Sequence, residues 1–300
     1  MVDMLKIIGL NKSFGDKEVL RGLDLNVPEH SVFGFIGKNG AGKTTTMKTV
    51  LGLLKQDSGE IYVNGERVIY GNTATNCHIG YLPDVPEFYS FMTAKEYLSF
   101  CGDITGMDKS ERDERCRELL QLVGLGDETH RIKGYSRGMK QRLGIAQALL
   151  NKPKLLICDE PTSALDPVGR KAILDILSAV SEQTTVLFST HILSDVERIC
   201  TDVAFLNNGA IEIQGKVSDI KTKYRSEEYR IETENDADAA IFTEAFPNWK
   251  SVGRNQFAFS ERDYSVSEIF RFVADKKMAI VKFERVEPTL ESLFMEVTGK

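Results

Sequence analysis

Nowhere in these 300 residues do about 18 apolar side chains run uninterrupted, the length a membrane-spanning helix needs, so the chain is not expected to cross a bilayer by itself. Cysteine is scarce: Cys77, Cys101, Cys116, Cys158 and Cys200 lie far apart. They form no CxxC pair, and no histidines stand at zinc-finger spacing. A disulfide-stapled or zinc-nucleated fold is thereby excluded, and reduced thiols in the cytosol are the expectation. A basic excess is missing too, since 38 Lys and Arg face 44 Asp and Glu for a net charge of −6. That balance argues against a general nucleic-acid binder, which needs cations to displace the counterions of phosphate. The opening stretch MVDMLKIIGLNKSFGD is not expected to act as a signal peptide, because Lys12 and Asp16 soon interrupt its short apolar patch. Internal repeats and sustained heptads are absent as well.

What remains is an ordinary globular composition, 42% apolar and 27% charged, enough for one large domain or a large one plus a small one. Val19–Val27 alternates as a strand does, and VFGFIG is a short apolar run suited to a buried strand. KTTTMKTVLGLL reads as a helix ending near Gly52, and GEIYVNGERV as a hairpin around Asn64-Gly65. From Thr93 to about Gly124 the pattern is helical and strongly charged. KLLICDEP, VLFST and VAFLN read as further strands with helices between them. Strands alternating with helices predict an α/β domain with a largely parallel sheet. SDIKTKYRSEE, within Val217–Glu228, reads as a linker. Beyond it the pattern is strand (Tyr229–Glu232), helix (Asp236–Ala245), two strands around Gly253, helix (Ser265–Ala274), strand (Met278–Arg285) and a last helix from Pro288. That order is the ferredoxin-like split β-α-β.

Two local motifs carry chemistry. GKNGAGKTT fits the phosphate-binding pattern G-x-x-x-x-G-K-[ST] between a strand and a helix. Gly37, Lys38, Asn39, Gly40, Ala41, Gly42, Lys43, Thr44 and Thr45 form the turn. Its glycines let backbone N–H groups curl around phosphate oxygens, and Lys43 reaches the outer phosphates. The Thr44 hydroxyl can face Mg²⁺, while the positive end of the helix points at the anion. In LLICDE an apolar strand ends in Asp159 and Glu160. Alone, that pair is as readily a solvated strand cap. Beside a phosphate turn, Asp159 can hold Mg²⁺ through water and Glu160 can take a proton from an attacking water. GYSRGMKQRL, Gly134–Leu143, is either a basic loop entering a helix or half of a site whose other half lies elsewhere.

With these motifs in this order, residues 1 to about 218 resemble the ATP-binding cassette (ABC) ATPases. YSRGMKQ stands where the family has its LSGGQ signature: Ser136 and Gly138 match the serine and the second glycine, whereas Tyr135, Arg137 and Met139 depart. The variant resembles that of the drug- and antibiotic-export branch. The resemblance implies that Ser136 and Gly138 close on the γ-phosphate held by another subunit. It further implies that SALD, Ser163–Asp166, is the loop along the dimer interface and that His191 in STH is the switch histidine. By position, Phe14 would stack on adenine. Asp84, in IGYLPD, stands where the family usually has a glutamine that contacts Mg²⁺ and the attacking water; a carboxylate can still face the metal but donates no hydrogen bond while ionised. VPEFYSFMTAKEYLSF falls in the region that meets the permease in transporters. His30, His78 and His130 have no such support and read as surface or structural.

The implied fold is therefore a P-loop NTPase of ABC type, a mixed-sheet α/β core with antiparallel and helical subdomains (1–218), plus a small α+β, ferredoxin-like domain (219–300). EPTLESLFMEVTG resembles the tails of export-type ABC ATPases. The implied function is that of the ATP-hydrolysing subunit of an ABC-type exporter, dimerising around two ATP-Mg²⁺ to drive a separate permease. ATP and Mg²⁺ are then the cofactors, with Lys43, Glu160 and His191 as catalytic groups, and Thr44, Asp159 and Asp84 on the metal. The implied partners are a second ABC ATPase subunit, identical or paralogous, and a separate transmembrane permease at the cytoplasmic face of the membrane, with no nucleic acid. The alternative is a soluble ABC ATPase with a regulatory, ribosome- or DNA-linked role. Such proteins typically carry two cassettes or a coiled-coil insertion, neither of which is seen.

Overall fold

Two long antiparallel strands open the chain, β1 (Asp3–Phe14) and β2 (Lys17–Pro28), in the computed structural model, which describes residues 3–72, 74–224, 227–286 and 289–297. Period-2 alternation turns Leu23, Leu25 and Val27 inward. Every position of β3 (Val32–Gly37) is buried, which is why VFGFIG can be continuously apolar. The glycine-rich turn leads to α1 (Lys43–Val50), which ends beside Gly52, at φ 67°, as the sequence pattern predicts. In the hairpin of β4 (Ser58–Val63) and β5 (Glu66–Arg67), Asn64 and Gly65 both take positive φ, 51° and 78°, as a type I′ turn requires. After β6 (Ile79–Leu82) the charged stretch forms two helices, α2 (Ala94–Ile104) and α3 (Lys109–Leu122), parted at Gly106. Thr93 and Glu96 form a reciprocal capping box that fixes where α2 starts.

The remaining elements of the first unit alternate in the α/β manner: α4 (Arg137–Ala148), β7 (Leu155–Cys158), α5 (Pro167–Val180), β8 (Thr185–Thr190), α6 (Leu193–Ile199), β9 (Asp202–Asn207) and β10 (Ala210–Lys216). One sheet runs β10-β9-β3-β8-β7-β6, parallel from β9 to β6 with β10 antiparallel at its edge. A second, antiparallel sheet runs β2-β1-β4-β5. One apolar core joins the two sheets through α1. Met47 and Val50 of that helix meet Leu5, Ile7, Leu25 and Ile61 of the antiparallel sheet. Phe33 and Phe35 of β3, Leu155 and Ile157 of β7 and Leu187 of β8 complete it from the parallel sheet.

The strand order has one consequence for chemistry. β3, β8, β7 and β6 are neighbours and parallel, so the segments leaving their C-terminal ends meet along one edge. Those segments carry the phosphate-binding turn, His191, Asp159-Glu160 and Asp84. Crevices at the carboxyl ends of parallel strands are where α/β proteins bind ligands.

The chain divides into two compact units, Met1–Ser218 and Asp219–Lys300. The stretch read as a linker is helical through Lys223, as α7 (Val217–Lys223). Ile220 is buried, Asp219 lies in the first turn and Lys221 and Lys223 in the last, an arrangement the helix dipole favours. Then come β11 (Glu228–Thr233), α8 (Asp236–Ala245), β12 (Lys250–Gly253), β13 (Gln256–Ser260), α9 (Val266–Lys276), β14 (Ile280–Arg285) and α10 (Leu290–Val297). The expected start of the last helix, Pro288, lies outside the described residues. The sheet is antiparallel in the order β12-β13-β11-β14, the strand order of the ferredoxin-like arrangement. Phe242, Phe246, Phe257, Phe259 and Ile269 fill its core.

Candidate active site

The phosphate-binding turn is shaped by its glycines. Gly40 and Gly42 take φ of 83° and 115°, and a Cβ on Gly42 would come within 2.7 Å of Leu20 Cδ2. Lys43, almost wholly buried, folds back so that its Nζ donates to the carbonyl oxygens of Gly37 (2.6 Å) and Lys38 (3.3 Å). The same ammonium stands 3.0 Å from Glu160 Oε1. That oxygen is buried and has no hydrogen-bond partner, so the contact is an ion pair.

Asp159 and Glu160 point different ways because the backbone turns sharply between them. Glu160 takes φ 48°, a left-handed conformation that costs a residue with a side chain about 1–3 kcal/mol. Ser189, fully buried at the end of β8, holds that turn. Its Oγ donates to Asp159 Oδ1 (2.7 Å) and accepts the Glu160 N–H (2.9 Å). The other Asp159 oxygen, Oδ2, accepts from Thr44 Oγ1 at 2.7 Å. His191 Nδ1 lies 2.9 Å from Glu160 Oε2. Lys43, Thr44, Asp159, Glu160 and His191 therefore form one connected polar network.

These side chains, with Asn39, Gly40, Gly42, Thr45, Asp84 and Ser163, line a cavity of about 470 Å³. Burial raises the Asp84 carboxyl; Arg137 works against that rise, and the negative charges of Asp159 and Glu160 add to it. The cavity does not take in every expected residue. Lys38 and Ala41 line a second cavity that shares Asn39 and Gly40 with the first. Phe14 is half exposed, with Lys12 Nζ 5.3 Å from its ring centre, and is not among the residues lining the first cavity. Ser136 and Gly138 are not among them either. Ser136 caps α4, accepting the Met139 N–H at 3.2 Å, and is exposed.

Sequence reasoning missed Ser189 and a second buried network behind the site. Asp195, 2% exposed on α6, accepts from Thr162 Oγ1 (2.7 Å) and Arg170 Nη2 (2.5 Å). It thereby ties the segment after Glu160 and the start of α5 to the helix that follows His191. Its position four residues after His191 was the one available signal. Replacing Asp195 by alanine is expected to destabilise the protein by about 2–3 kcal/mol, toward the low end for a broken buried pair because Arg170 is partly exposed. Urea unfolding of the Asp195→Ala variant measures this.

Comparison with known proteins identifies the family. Residues 20–163 fit the family model described as ABC transporter. The ABC transporter ATP-binding protein YxlF of Bacillus subtilis (strain 168) is 37% identical over 298 residues, covering 98% of this chain and 99% of its own. The chain belongs to the ABC transporter ATP-binding proteins. Within that family, the bacitracin transport ATP-binding protein BcrA of Bacillus licheniformis is 37% identical over 318 residues, covering all of this chain and 98% of its own. A solved ATP-binding subunit of an ABC transporter superposes with a TM-score of 0.65 at 31% identity, over 74% of this chain and 93% of that one. Residues 215–298 of this ABC ATPase fit a further model, the C-terminal domain of DrrA1-3-like ATP-binding proteins. All five cysteines are free, and among the described residues no helix is long and apolar enough to cross a membrane.

Proposed function

We propose that this ABC ATPase binds ATP-Mg²⁺ in the cavity around Lys43, pairs with a second copy or a paralogue, and powers export through a separate membrane permease at the cytoplasmic face. The observation that carries the dimer is a separation. Lys43, Thr44, Asp159, Glu160 and His191 share one cavity, while Ser136, at the N-terminus of α4, stands exposed outside its lining. A helix N-terminus offers N–H groups and positive dipole to an anion, and a second subunit can bring one to the open side of the nucleotide.

The residues fit the ligand. The glycines of the turn admit close approach of backbone N–H groups to phosphate, and Phe14, half exposed outside the cavity lining, is proposed to stack on adenine beyond it. Thr44 and Asp159 supply one hydroxyl and one carboxylate, and Asp84 lines the same cavity. Among the described residues no three His, Cys, Asp or Glu side chains gather as a metal site, which suits an ion that takes most of its ligands from phosphate and water. When bound, Mg²⁺ supplies positive charge against the phosphate oxygens. Lys43 turns its ammonium from Glu160 and the turn carbonyls toward the phosphates. Glu160, released from that ion pair, accepts a proton from water, and His191 keeps its carboxylate oriented.

The permease is proposed to dock on a groove of about 470 Å³ lined by Val85, Glu87, Phe88, Ile132 and Lys140. Val85, Tyr89 and Phe91, all more than half exposed, lie on the same segment. Purification of the tagged chain from detergent-solubilised membranes tests this reading. A multi-span membrane protein should co-purify and be lost from a Val85→Asp, Phe91→Asp variant. Hydrolysis stimulated by RNA or DNA, without such a partner, would overturn it.

A further inference from the structure

Two departures from the common family pattern, Asp84 and Arg137, are partners. They stand 53 positions apart, and Arg137 Nη2 donates to Asp84 Oδ1 at 3.2 Å. The same loop is fastened to α4 a second time, through the main chain, because Gln141 Nε2 donates to the Asp84 carbonyl oxygen at 2.6 Å. Gln141 is fully buried, whereas the Asp84 and Arg137 side chains are 47% and 43% exposed. The backbone attachment is therefore the fixed one and the ion pair the exchangeable one. Asp84 also lines both the nucleotide cavity and the groove beside it, whereas Arg137 lines the groove alone.

We propose that Arg137 is a positioning residue that competes with the nucleotide-bound metal for the Asp84 carboxylate. Paired with Arg137, the carboxylate is drawn toward the groove and α4; released, it faces Thr44 and Asp159. Occupancy of the groove and metal binding are then linked through one side chain. This rests on the reading above that Asp84 faces the metal.

The test uses Mn²⁺ as the probe, titrated into ATP-loaded full-length protein that carries Glu160→Gln to prevent turnover, with free Mn²⁺ read by electron paramagnetic resonance. Replacing Arg137 by glutamine should lower the half-saturating Mn²⁺ about two- to fivefold, the range open to an exposed ion pair. Arg137→Lys, which keeps the charge, should stay near the parent value. In an Asp84→Asn background the Arg137→Gln shift should vanish. An equal shift in both backgrounds, or none in either, overturns the competition. Should Asp84→Asn alone leave Mn²⁺ affinity unchanged, the assignment of Asp84 to the metal fails and the proposal falls with it. Should Asp84→Asn weaken Mn²⁺ binding while Arg137→Gln does nothing, only the competition fails.

Discussion

Replacing Glu160 by glutamine should slow ATP hydrolysis by about two to four orders of magnitude, the usual worth of a positioned general base. The amide keeps the size and the backbone turn at φ 48° but cannot take a proton from water. ATP binding should survive, because the phosphate turn and Lys43 are unchanged and Lys43 loses an ion-pair partner that competes with phosphate. Binding without turnover should make the closed dimer accumulate. Light scattering should therefore show the mass doubling when ATP-Mg²⁺ is added to the Glu160→Gln protein. Retention of wild-type hydrolysis would remove Glu160 from the chemistry.

Replacing Lys43 by alanine should abolish hydrolysis to a similar degree for a different reason. An ammonium that meets the developing phosphoryl charge contributes about two to three orders of magnitude, and the role proposed for Lys43 includes attracting the ground-state nucleotide. Its loss also leaves Glu160, 13% exposed, beside no cation, so ATP affinity and turnover should fall together. Equilibrium binding of a fluorescent ATP analogue and steady-state phosphate release separate the two effects. Binding should persist in the Glu160→Gln protein and be lost in the Lys43→Ala protein.

The parts of the site that could be read from the sequence are local. The phosphate turn is contiguous from Gly37 to Thr45, and Asp159 and Glu160 end an unbroken apolar strand, so residue type and neighbours were enough. The parts that could not be read are contacts between distant segments. Thr162 and Asp195 are 33 positions apart, and Asp195 looks in sequence like any acid on a polar helix. Ser189 reads as an ordinary strand residue until β8 is set beside β7. The Arg137–Asp84 pair has the same origin. The helix α7 was hidden by composition: its charges suggest a linker, and only the burial of Ile220 reveals that a face is packed.

A complete site, as proposed, takes its phosphate turn from one chain and its signature from another. The most direct measurement mixes two inactive variants, Lys43→Ala, which keeps the signature, and Ser136→Arg, which keeps the phosphate turn. Equal amounts should regain roughly a quarter of the wild-type ATPase rate, since half of randomly formed dimers are mixed and each mixed dimer holds one intact site of two. A mixture that stays as inactive as its components would contradict a site shared between two copies of this chain.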